Sequence, residues 1–360
     1  KESNGEISVP LEEVVDFILE GIQSEWDDPA NCLGWEEGWV GAEVIDSSEL
    51  ILDRVGLEES NEEVINDIIS VMPDQEWCQK DPYSLRDEEA LVLGWDTFCE
   101  QIKYHSRYVF FQIDANEEKE EESLFTDEIP VSKMLGRISL EMSKLESDIK
   151  LVQVLPIGTE LWRVRIHCET ETPADAPALG TVPREKAKHS NRMSPAGIPM
   201  FYGALDPETA LEETIDRASP INNVASIAKF STLKEIVVLD LTELPDIPSI
   251  FDPINGHKRP PLKFMHRFVG DLVKPISRDG MEHIDYVPTQ VFTEYIRYLY
   301  ISIEGDHILG IIYPSAKRKG GKAAVLFLEN EHCCIEPTGD AGTEAPAKYL
   351  RLRDVERRHL

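Results

Sequence analysis

The chain has 360 residues, 41% of them hydrophobic, and carries 68 aspartates and glutamates against 36 lysines and arginines, a formal net charge of −32. The length suffices for two domains with cores of their own. The charge argues against a nucleic-acid or anionic-membrane surface. No apolar run reaches the ~18 residues of a membrane helix, and the acidic start lacks the basic opening of a secretion signal.

The charge is unevenly spread. Residues 1–128 hold 36 acidic and 7 basic side chains, a net of −29, which leaves −3 for the remaining 232. Such an acid block attracts a basic partner or a basic face of its own chain, or simply keeps a surface solvated. Cys32, Cys78, Cys99, Cys168, Cys333 and Cys334 show neither C-x-x-C pairing nor a histidine at metal-ligand spacing. Most of them read as reduced core residues of a cytoplasmic protein with no metal site.

Taken in order, residues 10–24 carry Val14, Phe17, Ile18 and Ile22 at helical spacing, with Pro10 in the first turn. Helical patterns recur at 47–56, at 61–72 and at 87–105, where Leu91, Trp95, Phe98 and Ile102 share a face. The acidic domain therefore reads as all-helical, with Trp26, Trp35, Trp39 and Trp77 as core residues. Residues 114–128 are polar and aperiodic, a linker composition. A helix at 130–148, with Met134, Ile138, Met142 and Leu145 on one face, leads to residues 151–360. The expected domains are thus 1–128, a linker helix 129–150, and 151–360.

From Leu151 the period changes. Strands are predicted at 159–166, 198–203, 223–231, 235–241, 307–313, 323–328 and 347–352, with helices at 207–217, 261–274 and 288–301, an α+β pattern. Alternation in L-W-R-V-R-I sets Trp162, Val164 and Ile166 against Leu161, Arg163 and Arg165. Residues 169–190 form a long loop, a length that usually serves function.

The most informative stretch is 191–214, N-R-M-S-P-A-G-I-P-M-F-Y-G-A-L-D-P-E-T-A-L-E-E-T. A turn bearing Arg192 runs into a short strand ending near Tyr202, and then Asp206 as N-cap and Pro207 as first residue open a helix. Ala210, Leu211 and Thr214 mark the buried face of that helix, so Glu213 rather than Glu212 points inward. Arginines at 163 and 192 suit phosphate oxygens through the guanidinium fork, although each alone also reads as an ordinary surface residue. Ser315 ends an apolar strand in I-L-G-I-I-Y-P-S-A-K-R-K-G-G-K, ahead of a basic turn that on spacing alone is a solvated connection.

The blocks L-W-R-V-R, A-L-G-T-V-P, N-R-M-S-P-A-G-I-P-M-F-Y-G-A-L-D-P-E-T-A-L-E-E, Y-V-P-T-Q-V-F-T-E-Y-I-R and G-I-I-Y-P-S, between about 155 and 330, together resemble the RES domain family. The acidic first third is similar to the HEPN/RES N-terminal domain of the longer members. The resemblance implies a fold similar to ADP-ribosyltransferases and a toxin that degrades NAD, a substrate rather than a cofactor. It further implies that Arg163 and Arg192 grip the substrate, Tyr202 is the aromatic of the next strand, and Glu213 and Ser315 are the namesake glutamate and serine. Ser194 departs from the asparagine usual before the proline. The resemblance implies an antitoxin as partner; the −29 charge of residues 1–128 beside a near-neutral remainder suggests that the acid block restrains the toxic domain or receives a trigger such as a phage component, with a homo-oligomer also open. Two alternatives stand beside NAD cleavage: ADP-ribosyl transfer to a macromolecule, and a non-catalytic acidic interaction protein.

Overall fold

The computed structural model describes residues 9–54, 62–115, 128–146, 148–216, 218–276, 280–336 and 347–360. The chain divides into two compact units. One comprises Lys1–Ala90, Glu117–Ile129 and Asp246–Lys263; the other comprises Leu91–Asn116, Pro130–Pro245 and Phe264–Leu360. Residues 116–127 of the expected linker lie outside the described residues.

Helix α1 (Leu11–Ile22) opens the first unit and buries Val15, Ile18 and Ile22. Then come β1 (Trp26–Asp27), α2 (Pro29–Cys32), β2 (Gly34–Trp35), β3 (Trp39–Val40), β4 (Val44–Asp46), α3 (Ser47–Glu49), α4 (Glu62–Val71) and β5 (Glu76–Gln79). Strands β1, β5 and β4 form a small antiparallel sheet and β2–β3 a hairpin, so this region is not all-helical as its sequence suggests. The reason is physical: strands of two to four residues are too short to show a period of two, and their partners lie far along the chain, Trp26 opposite Gln79. Trp77 joins the expected core and donates through Nε1 to Ser47 Oγ at 2.9 Å. Trp35 does not. It sits 64% exposed on the hairpin, edge-on to Trp39 at 4.9 Å between ring centroids.

Helix α5 (Asp87–Glu100) leads into the second unit. Its Leu91, Trp95 and Phe98, with Ile102 beyond its end, are buried as their spacing predicts. Helix α6 (Met134–Glu146) likewise buries Met134, Ile138, Met142 and Leu145 completely. The strands and helices that follow are β6 (Val152–Leu155), β7 (Glu160–His167), α7 (Ala176–Leu179), β8 (Phe201–Ala204), α8 (Pro207–Ile215), β9 (Val224–Thr232), β10 (Ile236–Asp240), α9 (Arg259–Val273), α10 (Glu282–Asp285), α11 (Val287–Tyr298), β11 (Gly310–Pro314), β12 (Lys322–Leu326), β13 (Cys333–Cys334) and β14 (Leu350–His359).

These strands build one mixed sheet in the order β13-β14-β9-β7-β8-β12-β11-β10-β6. Its pairs are antiparallel except β10–β11 and β13–β14. The predicted alternation of β7 splits its side chains between two cores. Leu161 packs with Phe201 and Phe230 on one face, while Trp162, Val164 and Ile166 pack with Ala204, Ala210 and Ile227 on the other. Each fully buried phenylalanine contributes about 1.5–3 kcal/mol. Helix α8 lies on the second face, and so brings Glu213 to the sheet surface at β7 and β8.

Candidate active site

The site begins where the sheet comes apart. Strand β7 pairs with β9 along its full length, Glu160 to His167, but shares with β8 the single pair Trp162↔Ala204. Beyond that pair the two strands diverge and their ladder groups lose each other. Arg163 bridges the gap, its Nη1 donating to the Tyr202 carbonyl at 2.6 Å, with its guanidinium 5.5 Å from the Phe201 ring centroid. Gly203 is required beside this gap. A Cβ there would stand 2.8 Å from the Trp162 carbonyl oxygen and 2.9 Å from the Phe201 ring. Arg165, on the same strand face, serves elsewhere: it donates to the Ala178 carbonyl at 3.2 Å and pairs with Glu171 at 2.8 Å.

A cavity of about 850 Å³ opens over the divergence, with Arg163, Arg192, Tyr202 and Glu213 in its wall. That volume suits a ligand of nucleotide or dinucleotide size. Its cations are Arg163, Lys186, Lys188, Arg192 and Lys317, and its acids are Glu213, Asp216 and Glu282. Five positive against three negative charges, in a protein of net −32, make the hollow a local exception suited to a polyanion.

Helix α8 aims Glu213. Asp206 caps it as the sequence predicts, accepting from the Thr209 amide at 2.9 Å and the Thr209 hydroxyl at 2.6 Å, and Pro207 occupies the first turn. Burial raises the Asp206 carboxyl, but those two hydrogen bonds and the Arg318 guanidinium outweigh it, so the group is held below the usual carboxylate range.

The turn after β11 grips the helix at three points. Arg318 pairs with Asp206, Lys317 Nζ meets Asp216 at 2.5 Å, and Ser315 Oγ donates to Glu213 Oε1 at 2.5 Å. Ser315 is itself oriented, because its oxygen accepts from the amides of Lys317 (3.2 Å) and Arg318 (3.1 Å), which leaves its proton for the glutamate. Gly321 allows the close approach; a Cβ there would stand 2.5 Å from Thr209 Oγ1. The basic turn is therefore bound to α8 and not the solvated connection its spacing suggests.

Arg192 closes the far side. Its Nη1 donates to the Leu272 and Lys274 carbonyls, 2.9 Å each, where α9 ends, and its guanidinium lies 5.7 Å from the Tyr286 ring centroid. A cation at these carbonyls is favoured by the helix dipole, so Arg192 has a structural duty as well as a position in the wall. Thr289 donates to the Arg192 carbonyl, and the buried Ser194 hydroxyl bonds the Tyr202 hydroxyl at 2.9 Å.

All five residues singled out from the sequence thus gather here: four in the cavity wall, and Ser315 joined to it through Glu213. Sequence reasoning missed Tyr313 and Tyr286, which also line the hollow. Tyr313, on β11, stands two residues before Ser315, which directly follows the strand, and the period of two that places both on one side is the available signal. Among the described residues no group of three or more histidines, cysteines, aspartates or glutamates is arranged to hold a metal. No helix among them is long and apolar enough to cross a membrane.

Residues 160–343 match the RES domain family, and residues 1–116 match HEPN/RES N-terminal domain 1. No curated protein and no solved structure matches the chain.

Proposed function

Because this chain belongs to the RES domain family, we propose that it cleaves the bond between nicotinamide and ribose in NAD. The observation that carries the reading is the Ser315–Glu213 hydrogen bond at the edge of a cation-rich hollow of about 850 Å³. In this mechanism Arg163 and Arg192 hold the pyrophosphate, and Tyr202 packs on the nicotinamide or its ribose. Glu213 accepts a ribose hydroxyl and stabilises the positive charge that develops on the sugar, while Ser315 keeps its carboxylate in register. The C1′–N bond breaks with its electron pair passing to the pyridinium nitrogen, so nicotinamide departs neutral and needs no proton. Water then bonds to C1′ and loses a proton to solvent, giving ADP-ribose.

Inorganic phosphate in place of water makes the enzyme a phosphorylase, and a protein side chain makes it an ADP-ribosyltransferase. The expected fold likeness to ADP-ribosyltransferases rests on the family resemblance. In a bacterial cytoplasm such turnover is toxic, which fits a toxin or anti-phage effector restrained by an antitoxin or released by a phage-derived trigger. The N-terminal domain, with 36 acidic and 7 basic residues in its expected 1–128 span, is the candidate regulator. Mass spectrometry of products from the full chain and NAD, with and without phosphate, tests the reading. Nicotinamide with ADP-ribose or its 1-phosphate supports it, and intact NAD rejects it.

A further inference from the structure

Strand β11 presents two kinds of residue. Ile312 points into the core beneath the sheet, so Tyr313 and Ser315, flanking Pro314, fall on the side that faces α8 and Glu213. Tyr313 pairs across the ladder with Ala323, whose small side chain leaves room above it, and both line the cavity.

Tyr313 is only 7% exposed, and its hydroxyl makes no hydrogen bond to a described residue; it is nonetheless not a sealed, unsatisfied polar atom, so it opens into the cavity that the residue lines. A tyrosine hydroxyl in a cavity wall is free to take its hydrogen-bond partner from a bound molecule. Tyr202, Glu213, Arg192 and Tyr286 lie within electrostatic reach of it and line the same cavity, so this hydroxyl stands among the groups already assigned to the site. Burial, first, and then the Tyr202 and Glu213 charges push the phenol far above its ordinary range, against the opposing effect of Arg192. It therefore keeps its proton and offers a donor.

We infer that Tyr313 is a substrate-contacting residue whose hydroxyl donates a hydrogen bond to an uncharged oxygen of the bound dinucleotide beside the bond that breaks. The inference rests on the NAD-cleavage reading for the identity of the ligand. An uncharged oxygen is specified because the Glu213 carboxylate would repel an anionic one at the same spot, and the phosphates have the arginines. Two oxygens satisfy the description: one on the ribose and one on the carboxamide.

The test is Tyr313→Phe in the full chain, assayed for nicotinamide release from NAD and from its thionicotinamide analogue, with melting temperature recorded. We expect kcat/KM for NAD to fall about 5- to 15-fold, the worth of one hydrogen bond in the site. The melting temperature should hold, because Phe keeps the ring and the hydroxyl it removes faces the cavity rather than a protein partner. A fall in melting temperature with unchanged kcat/KM would mean a structural role and overturn the inference. If the contact is to the carboxamide, the variant slows NAD but not the sulfur analogue; if to the ribose, it slows both alike. A variant within twofold of wild type on NAD overturns the inference while leaving NAD cleavage intact. A wild-type protein that neither releases nicotinamide nor binds ADP-ribose removes the NAD reading, and this inference with it.

Discussion

Replacing Ser315 with alanine removes the one side chain that, among the described residues, hydrogen-bonds Glu213. The deleted oxygen takes part in three hydrogen bonds: it donates to Glu213 at 2.5 Å and accepts from the Lys317 and Arg318 amides at 3.2 and 3.1 Å. The two amides lie in a partly exposed turn, where water can replace the lost acceptor, so stability should fall by no more than about 1 kcal/mol. The bond to the carboxylate is charge-assisted, worth about 1.5–3 kcal/mol. If that energy acts by fixing Glu213 for the transition state, kcat falls roughly 10- to 150-fold, at about 1.4 kcal/mol per tenfold. Initial rates of nicotinamide release against NAD concentration read this directly, with urea denaturation as the fold control. Ser315→Thr, which keeps the hydroxyl, should recover most of the rate. A Ser315→Ala protein that is fully folded and turns over NAD at the wild-type kcat would refute the assigned role of the hydrogen bond.

Two further substitutions probe the scaffold. Asp206→Ala removes the α8 cap and should cost about 0.5–2 kcal/mol in urea denaturation. The Asp206 carboxyl is held below its ordinary range in the folded protein, so its contribution is present above about pH 4 and disappears as pH falls through the folded value. Wild type should therefore lose stability more steeply than the variant on acidification, and parallel acid limbs would contradict this. Gly203→Ala forces a Cβ to within 2.8 Å of the Trp162 carbonyl. Backbone cannot yield cheaply, so we expect a loss of about 1–3 kcal/mol with weaker ADP-ribose binding by calorimetry; an unperturbed variant would show that β7 and β8 have slack where they part.

What the sequence disclosed was local. The Asp206–Pro207 helix start, the inward phase of Glu213 and the two faces of β7 depend on neighbours within a turn or a strand, and all three hold. The parting of β7 from β8 depends instead on how long two distant segments stay paired, which no period records. The grip of the 315–321 turn on α8 joins Ser315 to Glu213 across 102 positions, so its lysine and arginine read as surface charge. In the N-terminal region, strands of two to four residues leave no period of their own among helical patterns, and Trp35 lies outside the core because aromatic size says nothing about which side of a hairpin faces water.

The most direct measurement is nicotinamide release from NAD by the purified full chain and by Glu213→Gln, with ADP-ribose binding followed on both. Wild type should release nicotinamide, and the rate should fall at least about a hundredfold in the variant, which replaces the carboxylate that meets the developing charge with a neutral amide of equal size. Binding should change far less, since the arginines remain. Equal rates in the two proteins, or NAD left intact by wild type, would contradict the claim that this hollow breaks the glycosidic bond.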